Sequence, residues 1–501
     1  MRIISFNPKE LLKQGVDVLA NAVKVTLGPE GKTVILSTKN GRKITKDGVS
    51  VAKEIFLLDP ISNEAAQIVK EVASKTADIA GDGTTTATVL VQSLINDLID
   101  EDLHSSFFKE LNEEKEEVIE FLKSKARKVS ASDIKTLEQV ATISANNDED
   151  LGKIVAEAVH VTGEYGIVTA EEGDSFETKI SLTQGMNFDN GYVSSLFITD
   201  QEKLICEMED VMIFMYDNEL STIKDILPIL RSTAARKKSL LIIANDITGE
   251  ALSTLLAQKQ IGFKCAAVKC PSFGDYKKSL MVDIATVTGG VYLDSQKGMK
   301  FEDLTDVHFG FAERVVITKD ETTIIKGDGN EEKISLRIKQ LENQIENTEN
   351  EYEVNFMKKR IAKMKGGVAV IEVGGFSEVE IKEKKDRIED AIYAVRAALE
   401  EGVVEGGGIA YLRATEICKN KALKNALVSP FEQICLNADI KPLTEEIRNN
   451  KIPGINIKTM EEVDMFEAGI VDPLKVTRTA LENAVSVATT FLTTKCIIVE
   501  K

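Results

Sequence analysis

Apolar positions near the amino terminus recur every three to four residues. Leu12, Val16, Leu19 and Val23 form one stripe, the spacing of a helix that buries a single face. Gly28-Pro29 then stops it, since neither residue continues helical hydrogen bonding well. Strand-like runs at 33–37 and 42–45 flank Asn40-Gly41, which predicts a hairpin. Lys46-Asp47-Gly48 makes a turn before another helical segment. A long stripe through Ala65, Ile68, Val69, Val72 and Ile79 leads into Gly81-Asp82-Gly83-Thr84-Thr85-Thr86-Ala87-Thr88. Beyond it Val89, Leu90, Leu94, Ile95 and Leu98 resume helical spacing, so the threonines open a helix.

The period changes from about Gly163. Short β-like runs at 167–169 and 179–182 come first. Strand-like runs at 211–216, 240–244 and 265–269 then alternate with helical segments near 220–231 and 249–259. That order implies parallel strands with crossover helices. Residues 331–365 predict a helical hairpin, with Ile334, Ile338, Leu341 and Ile345 on one face. A strand at 368–373 and a helix at 378–401 follow, and helices are expected to dominate to the end. An α/β domain is thus inserted between two mainly helical halves. Gly185, Gly366, Gly367 and Gly402 are candidate hinges; the plain alternative is that each is an ordinary turn.

Length and composition narrow the possibilities. A chain of 501 residues exceeds one compact core, so two to four domains are expected. The net charge of −19 and the absence of tryptophan argue against nucleic acid as a main partner. No apolar run approaches membrane-spanning length and the first residues lack a signal pattern, so the expectation is a cytoplasmic protein with no membrane partner. The six cysteines are scattered without a Cys-x-x-Cys pair, which suits reduced thiols. The three histidines are far apart in sequence. Any hydrolysis would therefore rest on carboxylates and a bound cation.

Gly81–Thr88 is the stretch that best fits such chemistry. Unpaired N–H groups and the positive end of the dipole at a helix start attract phosphate. The glycines allow close approach, the hydroxyls add donors, and Asp82 can hold a divalent cation. An ordinary loop with threonine caps is the alternative. Gly28-Pro29-Glu30-Gly31-Lys32-Thr33 imitates a Walker A loop but is two residues too short. Asp390 lies on a helix beside Ala391, Ala394, Ala397 and Ala398, a smooth face that would let a ligand approach. Gly406-Gly407-Gly408 repeats the glycine-before-helix arrangement. In the inserted domain, Ile223, Ile226, Leu227 and Leu230 form one stripe, and Leu252, Leu255 and Leu256 another. Most of these should be core, with any surplus forming a groove for apolar partners.

In this order the segments closely resemble the group I (GroEL-like) chaperonins. The strings that carry the likeness are Val23-Lys24-Val25-Thr26-Leu27-Gly28-Pro29, Ile44-Thr45-Lys46-Asp47-Gly48-Val49-Ser50-Val51-Ala52, the Gly81 loop, Thr142-Ile143-Ser144-Ala145-Asn146, residues 391–408 and residues 471–478. The resemblance implies a multidomain α + α/β ATPase. Its equatorial domain would be 1–126 with 401–501, its intermediate hinge domain 127–184 with 369–400, and its apical domain 185–368. It implies a homo-oligomer of seven-membered rings that folds non-native polypeptides under a co-chaperonin lid, using ATP and Mg²⁺, with K⁺ as a further candidate cation. Residue by residue, it places Thr26, Leu27, Gly28, Pro29 and Lys46 on the nucleotide. Asp82 would bind Mg²⁺, with Gly83, Thr84, Thr85 and Thr86 around the phosphates. Gly407, Asn456 and Asp472 would frame base and ribose, and Asp390, assisted by Asp47, would act on the hydrolytic water. Tyr192, Leu196, Phe197, Leu227, Leu230, Leu252 and Leu256 would bind polypeptide. Asn190 departs from a basic residue common in the family, and Glu432 and Lys441 exchange the usual signs at the ring–ring contact. A ring-forming holdase with weak or uncoupled ATPase is the alternative reading.

Overall fold

The computed structural model describes every residue except 1, 7, 39, 40, 164, 165, 174, 202, 273, 296–300, 302, 303, 349, 450 and 501, and the backbone alone at 2–6, 38, 41–43, 78, 275, 351, 366 and 500. The backbone falls into two compact units. One joins Met1–Glu157 to Phe376–Lys501, and the other is Ala158–Gly375.

The first unit is mainly helical. Lys9–Val23 buries Leu12, Val16, Leu19 and Val23 as its stripe requires. Pro60–Ala80 begins with proline in its first turn, where no N–H is needed. Asp59 Oδ1 caps it, accepting from the Ile61 and Ser62 N–H groups at 3.1 and 2.8 Å. Thr84–Leu98 is buried on nearly every side, through Ala87, Val89, Leu90, Val91, Leu94 and Ile95. A helix apolar all round belongs to a core. Solvent reaches it at its two ends, where Thr85 and Thr86 of the first turn are half-buried and Asn96 and Asp97 of the last are exposed. Leu474–Thr493 packs into the same core through Leu481, Ala484, Val485 and Ala488.

The hairpin forms from Val34–Thr38 and Gly41–Thr45, in register from Val34 opposite Thr45 to Thr38 opposite Gly41. The expected turn residue Asn40 lies outside the described residues. One pairing gave no warning in the sequence. Arg2–Phe6 runs antiparallel to Cys496–Glu500, from Arg2 opposite Glu500 to Phe6 opposite Cys496.

The second unit is built on a six-stranded sheet in the order Cys265–Lys269, Ser239–Ala244, Cys206–Met215, Phe309–Ile317, Glu321–Gly327, Gly185–Asp189. The first three strands are parallel, as the alternating pattern predicts, with Ile223–Arg236 and Gly249–Gln260 as crossovers. The other three run antiparallel. The short link between Ile317 and Glu321 cannot make a parallel crossover. A smaller sheet holds Val368–Val373 between Ile167–Glu172 and Lys179–Thr183. The helical hairpin is Glu331–Glu346 and Glu351–Gly366. Residues 127–184 and 369–400, expected together as a third domain, are divided between the two units. No helix among the described residues is long and apolar enough to cross a membrane.

Candidate functional site

The Gly81-Asp82-Gly83 turn joins two core helices. Gly81 (φ 77°) ends Pro60–Ala80, and Gly83 (φ 87°) opens Thr84–Leu98. Both are left-handed, a conformation that penalises any Cβ. Space forbids one as well: a Cβ on Gly81 would lie 2.1 Å from Cβ of Tyr393, and one on Gly83 2.7 Å from Val476 Cγ1. Those close approaches seat two further helices against the turn. One is Glu378–Glu401, which carries Asp390, and the other is Leu474–Thr493, which follows Asp472.

Asp82 is held from both sides. Its Oδ1 accepts the Gly83 N–H at 2.5 Å, and its Oδ2 accepts the Ser144 hydroxyl at 3.2 Å. Thr84 is turned inward, its buried hydroxyl donating to the Ala73 carbonyl at 3.3 Å. Thr85 meets the Lys46-Asp47-Gly48 turn, since a Cβ on Gly48 would lie 2.2 Å from Thr85 Oγ1 and 3.5 Å from Thr26 Oγ1. Segments around 26, 48 and 85 therefore converge.

Asp47 caps the short helix Gly48–Lys53, its Oδ1 accepting from Val49 N–H at 3.0 Å and its Oδ2 from Ser50 N–H at 2.7 Å. Lys46 is exposed and Pro29 half-buried. Thr26 ends the turn Lys24–Thr26, its hydroxyl donating to the Val23 carbonyl at 2.9 Å. Asn437 Nδ2 then clamps the Lys24 and Leu27 carbonyls at 2.9 and 2.8 Å, ahead of Gly28 (φ 85°).

The Gly407 backbone N–H lies close enough to the Asp472 carboxylate to favour its charged form. Val403–Glu405 pairs antiparallel with Val471–Pro473, which puts Asp472 opposite Val404. Asn456 stands further off. Its Oδ1 accepts the Lys458 N–H at 3.0 Å, and its hairpin meets the glycine turn through Met465, which approaches both Gly454 and Gly407. The small-residue face beside Asp390 serves packing, with Ala391, Ala394, Ala397 and Ala398 all buried.

Electrostatics draws the carboxylates into one group. Burial pushes the Asp390 carboxyl well above the usual range, and the negative charges of Asp47 and Asp82 push it further, with smaller contributions from Asp386 and Glu389. Asp82 is raised by burial and by Asp47, against the hydrogen bonds from Gly83 and Ser144. Asp82 is nonetheless exposed to solvent, which screens these effects. Asp472 is pushed up to about 7 by burial and by Asp82, opposed by the Gly407 N–H. Three acids raised together form a site short of positive charge. No group of three His, Cys, Asp or Glu among the described residues could hold a metal alone. The donor set nevertheless fits Mg²⁺, which keeps its waters and takes one or two carboxylates plus phosphate oxygens.

Sequence reasoning gave no role to Ser144, Asn437 or Tyr393. Ser144 ends a helix just before two left-handed residues, Asn146 (φ 57°) and Asn147 (φ 63°). A hydroxyl before two asparagines was the available signal. Asn437 is a buried polar residue at the end of an otherwise apolar helix face.

The residues expected to bind polypeptide lie in the second unit. Leu196 is 61% and Leu227 38% exposed, while Tyr192, Leu252 and Leu256 are half-buried. Phe197 is fully buried and Leu230 is 9% exposed, so both are core side chains here. Lys259 Nζ donates to the Leu196 and Ile198 carbonyls at 2.5 and 2.7 Å, tying that turn to the helix with Leu252 and Leu256. Of the candidate hinges, Gly402 (φ 89°) ends Glu378–Glu401, Gly366 ends Glu351–Gly366, Gly367 (φ 60°) follows it, and Gly185 begins a strand.

Acids from separate stretches of chain around a glycine-opened helix start, on a helical unit interrupted by an α/β unit, are the marks of a chaperonin fold. The model of the TCP-1/cpn60 chaperonin family matches residues 19–501. The chain belongs to that family, and the GroEL-like resemblance of its motifs holds. Among solved structures it is similar to the chaperonin gp146 from bacteriophage EL 2 (Pseudomonas aeruginosa) crystallised in the presence of ATP-BeFx. Crystal form II is 24% identical with a TM-score of 0.73, covering 100% of this chain and 99% of that one. Crystal form I is 23% identical with a TM-score of 0.67 and the same coverage.

Proposed function

We propose that this protein is an ATP-hydrolysing folding chaperonin whose nucleotide pocket is the Asp47–Asp82–Asp390–Asp472 cluster. The observation that carries this reading is the joint rise of three of those carboxyls around the first turn of Thr84–Leu98. The similar phage chaperonin was crystallised with ATP-BeFx, which supports a nucleotide here. In this reading the N–H groups of the Thr84 helix and the hydroxyls of Thr85 and Thr86 hold phosphate oxygens. Asp82 holds the divalent cation, steadied by Ser144. Mg²⁺, when bound, neutralises phosphate charge. Asp390 takes a proton from the attacking water, and the rise in its pKa makes it a stronger base once ionised. Asp47 fixes the local charge while capping its helix, and Gly407, Asn456 and Asp472 line the far end.

The three-domain division (1–126 with 401–501, 127–184 with 369–400, 185–368), the seven-membered ring and the lid belong to the same proposal. Leu196 and Leu227, with Leu252 and Leu256 beside them, form its surface for non-native polypeptide. Asp390→Ala is expected to bind ATP with parental affinity and to hydrolyse it at least ~100-fold more slowly. Parental turnover would remove Asp390 from the mechanism. Leu196→Ser with Leu227→Ser should abolish capture of a denatured protein with ATPase activity intact. A holdase with uncoupled ATPase instead predicts capture and release indifferent to Asp390→Ala.

A further inference from the structure

A cavity of about 740 Å³ opens in the second unit among the helices Gly274–Thr288, Glu331–Glu346 and Glu351–Gly366. That volume suits a small organic ligand. Its apolar side is aromatic. Tyr276 and Phe356 meet edge to face with ring centroids 4.5 Å apart, and Met357 is buried next to Phe356. Such a corner leaves ring surface to stack on.

One wall is charged. The Arg360 side chain is 5% exposed, and its guanidinium lies 5.5 Å from the Phe356 centroid. Its Nε donates to Asp283 Oδ2 at 2.6 Å, and its Nη2 to Asp283 Oδ1 at 2.9 Å and the Ser279 carbonyl at 3.4 Å. Arg337 Nε donates to the same Oδ1 at 2.9 Å. Two guanidinium groups thus share one fully buried carboxylate. Buried charge is stable only when paired, and this trio keeps one positive charge in excess. Arg360 Nη1 makes no hydrogen bond among the described residues. Glu353 also lines the cavity and accepts from Asn350 Nδ2 at 3.4 Å. The other lining residues that are described are neutral, and the side-chain amides of Asn343 and Gln344 make no hydrogen bond among the described residues.

We propose that this cavity binds a small planar aromatic ligand carrying one acidic group, with the ring against Tyr276 and Phe356 and the acid on Arg360 Nη1. A charged donor and a flat carboxylate match in geometry and sign. This site shares no residue with the carboxylate cluster or with the exposed leucines, so it stands apart from the folding cycle proposed above.

The test is calorimetric titration of the full chain with 1-naphthoate. Saturable binding of one molecule per chain is expected. Asn343→Trp or Gln344→Trp, both at exposed helical positions, should weaken it by about tenfold or more by filling the cavity. The neutral isostere 1-naphthamide should bind about tenfold more weakly, for want of the charged hydrogen bond. Leu227→Ser should leave 1-naphthoate binding unchanged. No saturable binding, indifference to both tryptophan variants, or equal binding of the amide would each overturn the proposal. So would loss of binding in Leu227→Ser, which would put the probe on the polypeptide surface instead.

Discussion

Asp472 offers a sharp test of the electrostatics. Its carboxyl is pushed up to about 7 from 3.8, by burial first and by Asp82 second. The folded chain therefore binds more protons than the unfolded chain between those two values. Stability of the ligand-free protein must fall as pH rises through that window, with no penalty below about pH 4 and the full penalty above about pH 7. The difference corresponds to about 4 kcal/mol as an upper bound. Asp472→Asn removes the charge and keeps an oxygen to accept the Gly407 N–H. It also buries an amide group with no assured partner, a cost of roughly 1–2 kcal/mol. The net gain at pH 8 is then about 2–3 kcal/mol, or several degrees in the first thermal transition. Near pH 4 the parent already holds its proton, so the gain should vanish or reverse. Melting parent and variant without nucleotide from pH 4 to 8 measures this directly. A variant no more stable than its parent at pH 8, or one whose gain does not grow with pH, refutes the reasoning.

Ser144→Ala removes the hydroxyl bond to Asp82 Oδ2. Because that bond favours the charged form, Asp82 should protonate more readily and Mg²⁺-dependent nucleotide binding should weaken about 3–10-fold, read by titration at fixed nucleotide and varied Mg²⁺. Gly48→Ala puts a methyl 2.2 Å from Thr85 Oγ1; a loss of about 1–3 kcal/mol is expected, part of which Gly48→Ala with Thr85→Ala should recover in thermal melts. Asp47→Asn keeps a good cap without the charge, while Asp47→Ala loses about 1 kcal/mol of capping. If the Asp47 charge contributes to hydrolysis, both variants slow ATP turnover, whereas a purely structural Asp47 leaves the asparagine variant at the parental rate.

Elements fixed by local pattern were legible. Lys9–Val23, Glu331–Glu346, Glu351–Gly366 and Glu378–Glu401 lie where their periods put them. So do the three parallel strands of the second unit, whose buried runs read as unbroken apolar stretches. Pairings between distant segments were not. Arg2–Phe6 finds its partner at the other end of the chain, and no periodicity reports a partner that far away. The antiparallel half of the larger sheet was lost for a related reason. Its strands alternate in burial more than the parallel ones, but alternation alone does not set direction, and the brevity of the link after Ile317 does.

The candidate site divides along the same line. The turn at Asp82 could be recognised because two left-handed glycines leave a mark in composition. Which acids belong with it could not be read from spacing, since Asp47, Asp390 and Asp472 are scattered over more than four hundred residues. What joins them is steric: Gly81 admits Tyr393, Gly83 admits Val476, and Gly48 admits Thr85. Each contact exists because one side lacks a Cβ. The Gly81 and Gly83 contacts bring with them a helix bearing Asp390 and a helix preceded by Asp472. Glycine at those three positions therefore does more than shape a loop around phosphate. It sets how near the carboxylates stand, and so how far each raises the pKa of the next. A bulkier residue at Gly81 or Gly83 should then act at a distance, lowering the pKa of Asp390 or Asp472 as the helices part, before it touches any phosphate.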